Sequence, residues 1–268
     1  MNSIELANKI RIHVIKMAHY SKESHVASAL SIADIIAVLY SGILRIDRSN
    51  DKDIHRDRFI LSKGHACSAV YAALAEKGFF GREDLYQQCQ DGARLSGHIS
   101  HKSIPGAEVS TGSLGHGCCM AAGMALSGKC KGEEYKVYAL LGDGECNEGS
   151  VWEMAQFASQ QKLGNFIVII DYNRMQAMGM CNEVLDNTNM KGRWEAFGWS
   201  VLEIDGHNHE EIRKALLENE RKNAPTCIIA KTIKGKGVSF MENNLLWHYR
   251  DPQGADYENA IKELESIS

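Results

Sequence analysis

Two oxygen-bearing side chains thirty positions apart, Asp143 and Asn173, each follow an apolar run, and the chemistry of the chain can be built from them. The run 137–141 breaks at Gly142-Asp143-Gly144, the run 166–170 ends at Asp171-Tyr172-Asn173, and the segment 149–160 between them is compatible with a helix. A strand–helix–strand crossover is right-handed and joins parallel strands, so both runs end on one edge of a sheet, with Asp143 beside Asn173. Open α/β sheets bind ligands at that edge, where a helix N-terminus also favours anions. A carboxylate and an amide oxygen are hard ligands suited to Mg²⁺ or Ca²⁺, a shell usually completed by phosphate oxygens. Gly142 and Gly144, lacking side chains, let a bulky anion approach the backbone. The expectation is a metal-bridged diphosphate. Gly-Asp-Gly by itself is a common βα turn; the strand context and the downstream asparagine give it meaning.

The remaining chemistry-bearing residues fall at similar junctions. A short strand at 58–61 leads into Ser62-Lys63-Gly64-His65 and an alanine-rich helix, which puts Lys63 and His65 on the ligand edge; Lys63 could be a point charge for phosphate. His25 and Ser28 lie in a polar loop between an amphipathic helix at 4–20 and a helix opened by a capping box at Ser31 and Asp34. The segment 91–117 is glycine-rich, irregular and holds His98, His101 and His116. Loops of that length are usually functional or disordered. The small-residue helix after it permits close packing, as at a buried interface. A strand at 199–204 ends in Asp205-Gly206-His207, where His207 reads as a turn residue, and a helix capped by Asn208 and Glu211 continues to Arg221. A strand at 226–232 leads into Lys234-Gly235-Lys236-Gly237, again on the ligand edge, and Trp247-His248 precede a last amphipathic helix at 256–264. About five strands alternating with helices predict an α/β fold of three layers, a mainly parallel sheet flanked by helices.

The 268 residues suffice for one large α/β domain, with an N-terminal helical portion and a C-terminal helical tail over 1–268. A net charge of −4 gives no reason to expect nucleic acid, and the longest apolar stretch, around 32–40, contains Asp34 and is too short to span a bilayer. The N-terminus mixes charges into its apolar positions and shows no signal peptide. Eight cysteines contain no Cys-x-x-Cys pair, so reduced core thiols in a cytoplasmic protein are expected rather than a zinc site.

Taken together, SKGHA (62–66), STGSLGHG (110–117), GDG with Asn173, KGKG (234–237) and WH (247–248) resemble the N-terminal, diphosphate-binding domain of transketolase, in the family's order and across nearly the whole chain. The resemblance implies the thiamine diphosphate-binding fold, with thiamine diphosphate and Mg²⁺ (Ca²⁺ can substitute). It implies Asp143, Asn173 and the carbonyl of Met175 as metal ligands, and Gly142, Gly144, Lys63, Lys234 and His248 on the diphosphate side. Gly112, Ser113 and Leu114 would line the cofactor's rings, and Glu148 would be the acidic residue linking paired active sites. His25, His65, His98 and His248 would surround the reacting carbons, with Ser28 near the sugar chain. Imidazoles suit ketol transfer, which moves protons on and off hydroxyls near neutral pH.

Three departures stand out. The family commonly has proline where this chain has Ile99 and glycine where it has Tyr249, which bears on acceptor specificity. A complete transketolase also continues into pyrimidine-binding and C-terminal domains that this chain lacks. The resemblance therefore points to the N-terminal subunit of a split transketolase, inactive without a C-terminal partner, in a two-plus-two heterotetramer acting on sugars or sugar phosphates, with no nucleic-acid or membrane partner. Two other readings stay open: the α subunit of a 2-oxo acid dehydrogenase or related decarboxylase, which shares the Gly-Asp-Gly…Asn device, and a non-catalytic scaffold of the same fold.

Overall fold

The computed structural model describes residues 1–102, 104–185, 188–217 and 223–266. Five strands form one wholly parallel sheet: β1 (Arg58–Leu61), β2 (Val137–Gly142), β3 (Phe166–Tyr172), β4 (Ser200–Asp205) and β5 (Thr226–Lys231), in the order β1-β2-β3-β5-β4. Every residue of central β3 is buried, which is why its sequence is a continuous apolar run rather than an alternating one. Alternation persists in where the side chains go. Tyr138, Leu140, Ile167, Ile169 and Ile228 join the core on one face, and Val137, Ala139, Val168, Ile170 and Ile229 join that on the other.

On the first face lie α1 (Ser3–Ser21), α2 (Val26–Ser31), α3 (Ala33–Val38) and α4 (Cys67–Glu76), with α9 (His209–Leu217) and α10 (Ala255–Glu265). On the second lie α5 (His116–Lys131), α6 (Gly149–Gln160) and α8 (Met190–Ala196), while α7 (Cys181–Val184) is one short turn between β3 and α8. The three-layer architecture and the strand–helix–strand unit from β2 through α6 to β3 follow the expectation. The small residues of α5 are divided: Cys118, Ala121, Ala122 and Ala125 pack inward, whereas Cys119, Met120 and Gly123 are exposed. None of the described helices is long and apolar enough to cross a membrane.

Local signals held where the partner was local. Asn2 and Glu5 form a capping box on α1, and Asn208 Oδ1 accepts from the backbone N–H groups of Glu210 and Glu211 at the start of α9. The expected end of that helix at Arg221 lies outside the described residues. The capping box at Ser31 and Asp34 does not form, because both side chains reach distant partners. Ser31 donates to Asp171 at 2.6 Å, and Asp34 binds Arg11, His207 and His209.

The start of α5 presses against the turn after β1: a Cβ on Gly117 would stand 2.7 Å from Ser62 Cα. Gly117→Ala is therefore an overpacking change at a backbone contact, expected to cost about 1–3 kcal/mol in a urea unfolding titration. Unchanged stability would show that this contact yields freely.

Candidate active site

All five strands point their carboxyl ends at one edge, and the loops leaving that edge close a cavity of about 400 Å³. Register places Gly142 opposite Asp171, so Asp143 and Asn173 leave neighbouring strands side by side. Asp143 is 2% exposed; its Oδ1 accepts from Gly144 N–H at 2.7 Å and its Oδ2 from Arg174 N–H at 2.5 Å. Burial, followed by the neighbouring Asp171 carboxylate, pushes its carboxyl up to about 6. Asn173 Oδ1 accepts from Met175 N–H at 3.0 Å, and Met175 O accepts from Lys234 Nζ at 3.2 Å. Asp143, Asn173 and Met175 thus line the same cavity. No trio of His, Cys, Asp or Glu among the described residues could hold a metal ion, so a divalent cation here depends on the amide and carbonyl oxygens as well as the carboxylate.

Two buried ammonium groups flank these oxygens. Lys63 donates to Asp171 Oδ2 at 2.6 Å and to Ser28 O at 3.3 Å. Lys234 is 1% exposed and donates to Met175 O; burial, with repulsion from Lys63, lowers its ammonium to about 8. The donor set fits a bridged anion in two further respects. Gly142 meets only one atom, at 4.0 Å, where a Cβ would be, leaving open space. The Gln176 amide nitrogen, on the cavity wall, is buried without an acceptor.

The histidines converge from four separate segments. His25 lies 5.0 Å from His65, 6.2 Å from His98 and 5.2 Å from His248 between ring centroids. His25 takes a left-handed backbone conformation (φ 72°), which costs a non-glycine residue roughly 1–2 kcal/mol, and its N–H donates to His248 O at 2.8 Å. That bond joins the loop before α2 to the turn Leu245–His248. Burial lowers the imidazole of His25 to about 4 and that of His248 to about 3, in the latter case with the Lys234 ammonium adding to it, and it holds His65 well below its ordinary range. Three neutral imidazoles at pH 7 can each both accept and donate a proton.

Of the described residues that the resemblance assigned to metal, cofactor or sugar, Ser113 alone lies off the cavity wall: it is exposed, while its neighbours Gly112 and Leu114 line the cavity. Glu148 is exposed at the rim. His101 and His116 are exposed and stay outside the cavity. Ile99 N–H donates to Gly64 O at 3.3 Å, a bond that proline could not make, and ties the His98 loop to the turn carrying Lys63 and His65. Tyr249, 64% exposed, stands at the mouth with its ring 4.6 Å from that of His248.

Two carboxylates were not picked out from the sequence. Asp171, fully buried, accepts from Ser31, Lys63, Thr232 and Asn173. Burial opposes its charge, but the Lys63 ammonium and these donors outweigh it and hold the carboxyl below its ordinary value. Glu145 accepts from Ser62 Oγ at 2.5 Å, Gly115 N–H at 2.9 Å and Gly142 N–H at 3.1 Å, stitching together three glycine-bearing segments. The available signal was a charged residue inside a buried run (Asp171) or directly after the Gly-Asp-Gly turn (Glu145).

A parallel α/β domain whose strand ends assemble hard oxygen ligands, buried ammoniums and neutral imidazoles is a diphosphate-cofactor domain. Residues 3–263 match the family model described as transketolase, thiamine diphosphate binding domain, and the chain belongs to that family. It is 40% identical over 266 residues to one of the subunits of the apulose-4-phosphate transketolase of Phocaeicola vulgatus, covering 98% of this chain and 94% of that one. A 6-deoxy-6-sulfo-D-fructose transketolase subunit from a Clostridium species is 39% identical, with 97% and 94% covered. The crystal structure of transketolase from Campylobacter jejuni superposes with a TM-score of 0.93 at 33% identity, over 99% of this chain but 43% of that one. The family match decides between the two enzyme families left open by the sequence, in favour of transketolase.

The His25 shift has a consequence for stability. Its ordinary value is 6.5 and its folded value about 4, so between these the unfolded chain binds more protons. The stability contributed by neutral His25 is complete above about pH 6.5 and is lost as pH falls towards 4. Chemical denaturation across that window should show stability falling with acid, and His25→Gln should flatten the slope; an unaltered slope would contradict the assignment.

Proposed function

We propose that this chain is the diphosphate-binding subunit of a two-component, cytoplasmic transketolase, moving a two-carbon ketol unit from a ketose or its phosphate to an aldose or its phosphate. The observation that carries the reading is the meeting, in one cavity, of Asp143, Asn173 and Met175 O with Lys63, Lys234 and four histidines. Asp143, Asn173 and the Met175 carbonyl would hold Mg²⁺ or Ca²⁺, and Lys63, Lys234, His248 and the backbone at Gly142 and Gly144 would face the diphosphate. Gly112 and Leu114 would border the rings. Bound thiamine diphosphate would supply the carbon nucleophile and electron sink needed to break a carbon–carbon bond beside a carbonyl.

The protein's own part is proton management and exclusion of water. His25, His65, His98 and His248 surround the space above the diphosphate site, and three of them are held neutral, so each can take a hydroxyl proton from the sugar and return it. Ser28, buried behind them, would help to orient the sugar chain. A separate partner chain would bring the pyrimidine-binding domain over the open mouth, in a two-plus-two assembly with Glu148 facing the subunit boundary. The names and near-equal lengths of the subunit relatives support this, as does the exposed apolar side chain of Met178 at the rim. A cytoplasmic location is consistent with eight free thiols.

Reconstitution with the candidate partner, thiamine diphosphate and Mg²⁺ is expected to give ketol transfer, with either chain alone silent. An inactive complex that still binds cofactor would favour a scaffold instead. Asp143→Ala should weaken Mg²⁺-dependent cofactor binding, measured calorimetrically, by more than the roughly 10–100-fold typical of residues outside the ligand shell; unchanged affinity would remove the metal assignment. Tyr249→Gly should change the KM for acceptor aldoses far more than kcat, and equal KM values across an aldose panel would remove Tyr249 from specificity.

A further inference from the structure

The Asp205-Gly206-His207 turn after β4 has no part in the chemistry above, yet it is built tightly against the segment that carries Lys234. A Cβ on Gly206 would stand 2.5 Å from Thr232 Cγ2 and 3.1 Å from Lys231 O, and Gly206 N–H donates to that same carbonyl at 2.8 Å. Only glycine permits this approach. Asp205 Oδ1 accepts from His207 N–H, two residues on, at 2.8 Å and closes the turn. His207 then spans two groups: its Nε2 is 2.8 Å from Ile233 N, and its Nδ1 is 2.7 Å from Asp34 Oδ2.

A backbone N–H can only donate, so Nε2 must present its lone pair, and the ring proton resides on Nδ1, directed at Asp34. Asp34 is 5% exposed and binds two further groups, Arg11 at 2.5 Å and His209 Nε2 at 3.0 Å. Arg11 Nε in turn donates to Lys236 O at 3.1 Å. One buried carboxylate therefore holds the turn on both sides of Lys234, at residue 233 through His207 and at residue 236 through Arg11. Lys234 extends from between these anchors to Met175 O and His248 Nδ1.

We propose that Asp34, acting through His207 and Arg11, is a positioning strut that fixes the 233–236 turn and so aims the Lys234 ammonium at the diphosphate site. His207 is a positioning residue, and the proposal rests on the reading of Lys234 as a diphosphate contact. The logic is that of a buried group that orients a ligand-binding side chain, where loss typically weakens binding by roughly 10–100-fold.

The test is calorimetric affinity for thiamine diphosphate with Mg²⁺, using the chain assembled with its partner subunit. His207→Leu should weaken binding by about tenfold or more. His207→Gln, whose amide can accept from Ile233 N–H and donate to Asp34, should recover most of the loss. The double variant His207→Leu/Lys234→Met should bind no more weakly than Lys234→Met alone, because coupled residues are non-additive. Wild-type affinity in His207→Leu beside a weakened Lys234→Met overturns the strut, as does full additivity. Wild-type affinity in Lys234→Met overturns the diphosphate reading itself. Should His207→Leu fail to fold by circular dichroism, imidazole ¹⁵N spectra of the wild-type chain decide: an Nδ1–H tautomer is expected, and an Nε2–H or doubly protonated ring at pH 7.5 overturns the arrangement.

Discussion

A single buried carboxylate, Asp171 at the carboxyl end of the central strand, is the constraint on which the site depends. Its two oxygens receive Ser31 from α2, Lys63 from the turn after β1, Thr232 just past β5 and Asn173 just past β3 itself. Four segments that are distant in sequence are thereby fixed to one point in the middle of the sheet edge. A buried charge is tolerable only when it is paired and hydrogen-bonded, and removing one partner of such a pair typically costs about 3–5 kcal/mol. Asp171 meets that condition with no acceptor atom left idle, and the same bonds hold Lys63 and the Asn173 amide in position. The stability of the edge and the geometry of the site are one network.

Glu145 performs the equivalent task one strand over. By accepting from Ser62, Gly115 and Gly142 it holds the glycine-bearing loops in register, while Asp143, two residues earlier, remains directed at the cavity. The histidines depend on this scaffold. None lies in a strand, and their approach to within 5.0–6.3 Å between centroids arises because the loops bearing them are tied down by bonds such as Ile99 N–H to Gly64 O and His25 N–H to His248 O.

The parts of this architecture legible in the sequence are those whose cause is local. Two short apolar runs, one ending at Gly-Asp-Gly, with a helix-compatible segment between them read as buried strands around a crossover, so β2, α6, β3 and the adjacency of Asp143 and Asn173 followed from spacing and the handedness of the crossover. The histidine constellation came from motif resemblance, since no periodicity links His25 to His248. What escaped notice has its cause far along the chain. Ser31 and Asp34 have the spacing of a capping box, but their partners lie 140 and 173 residues away. Asp171 stands two residues before Asn173 and Glu145 directly after Gly-Asp-Gly, and nothing in the sequence reveals that Ser62 O–H and the N–H groups of Gly115 and Gly142 will need an acceptor at Glu145.

The shared direction of the parallel strands gives the molecule a polarity along the sheet. The charges that line the cavity lie at the carboxyl edge, while the opposite edge, with short connections such as those at 132–136 and 162–165, carries none of the cavity's residues and has ion pairs of its own, Asp57 with Arg45 and Arg56 with Glu108. The two edges are separated by the apolar length of the strands, so the exposed connections at the amino edge can lengthen or acquire a tether at a distance from the bonds of the cofactor edge. For an engineer this makes the amino edge the natural attachment point for a label, a surface anchor or a fused protein. For descent it means that the two ends of the same sheet can evolve at different speeds.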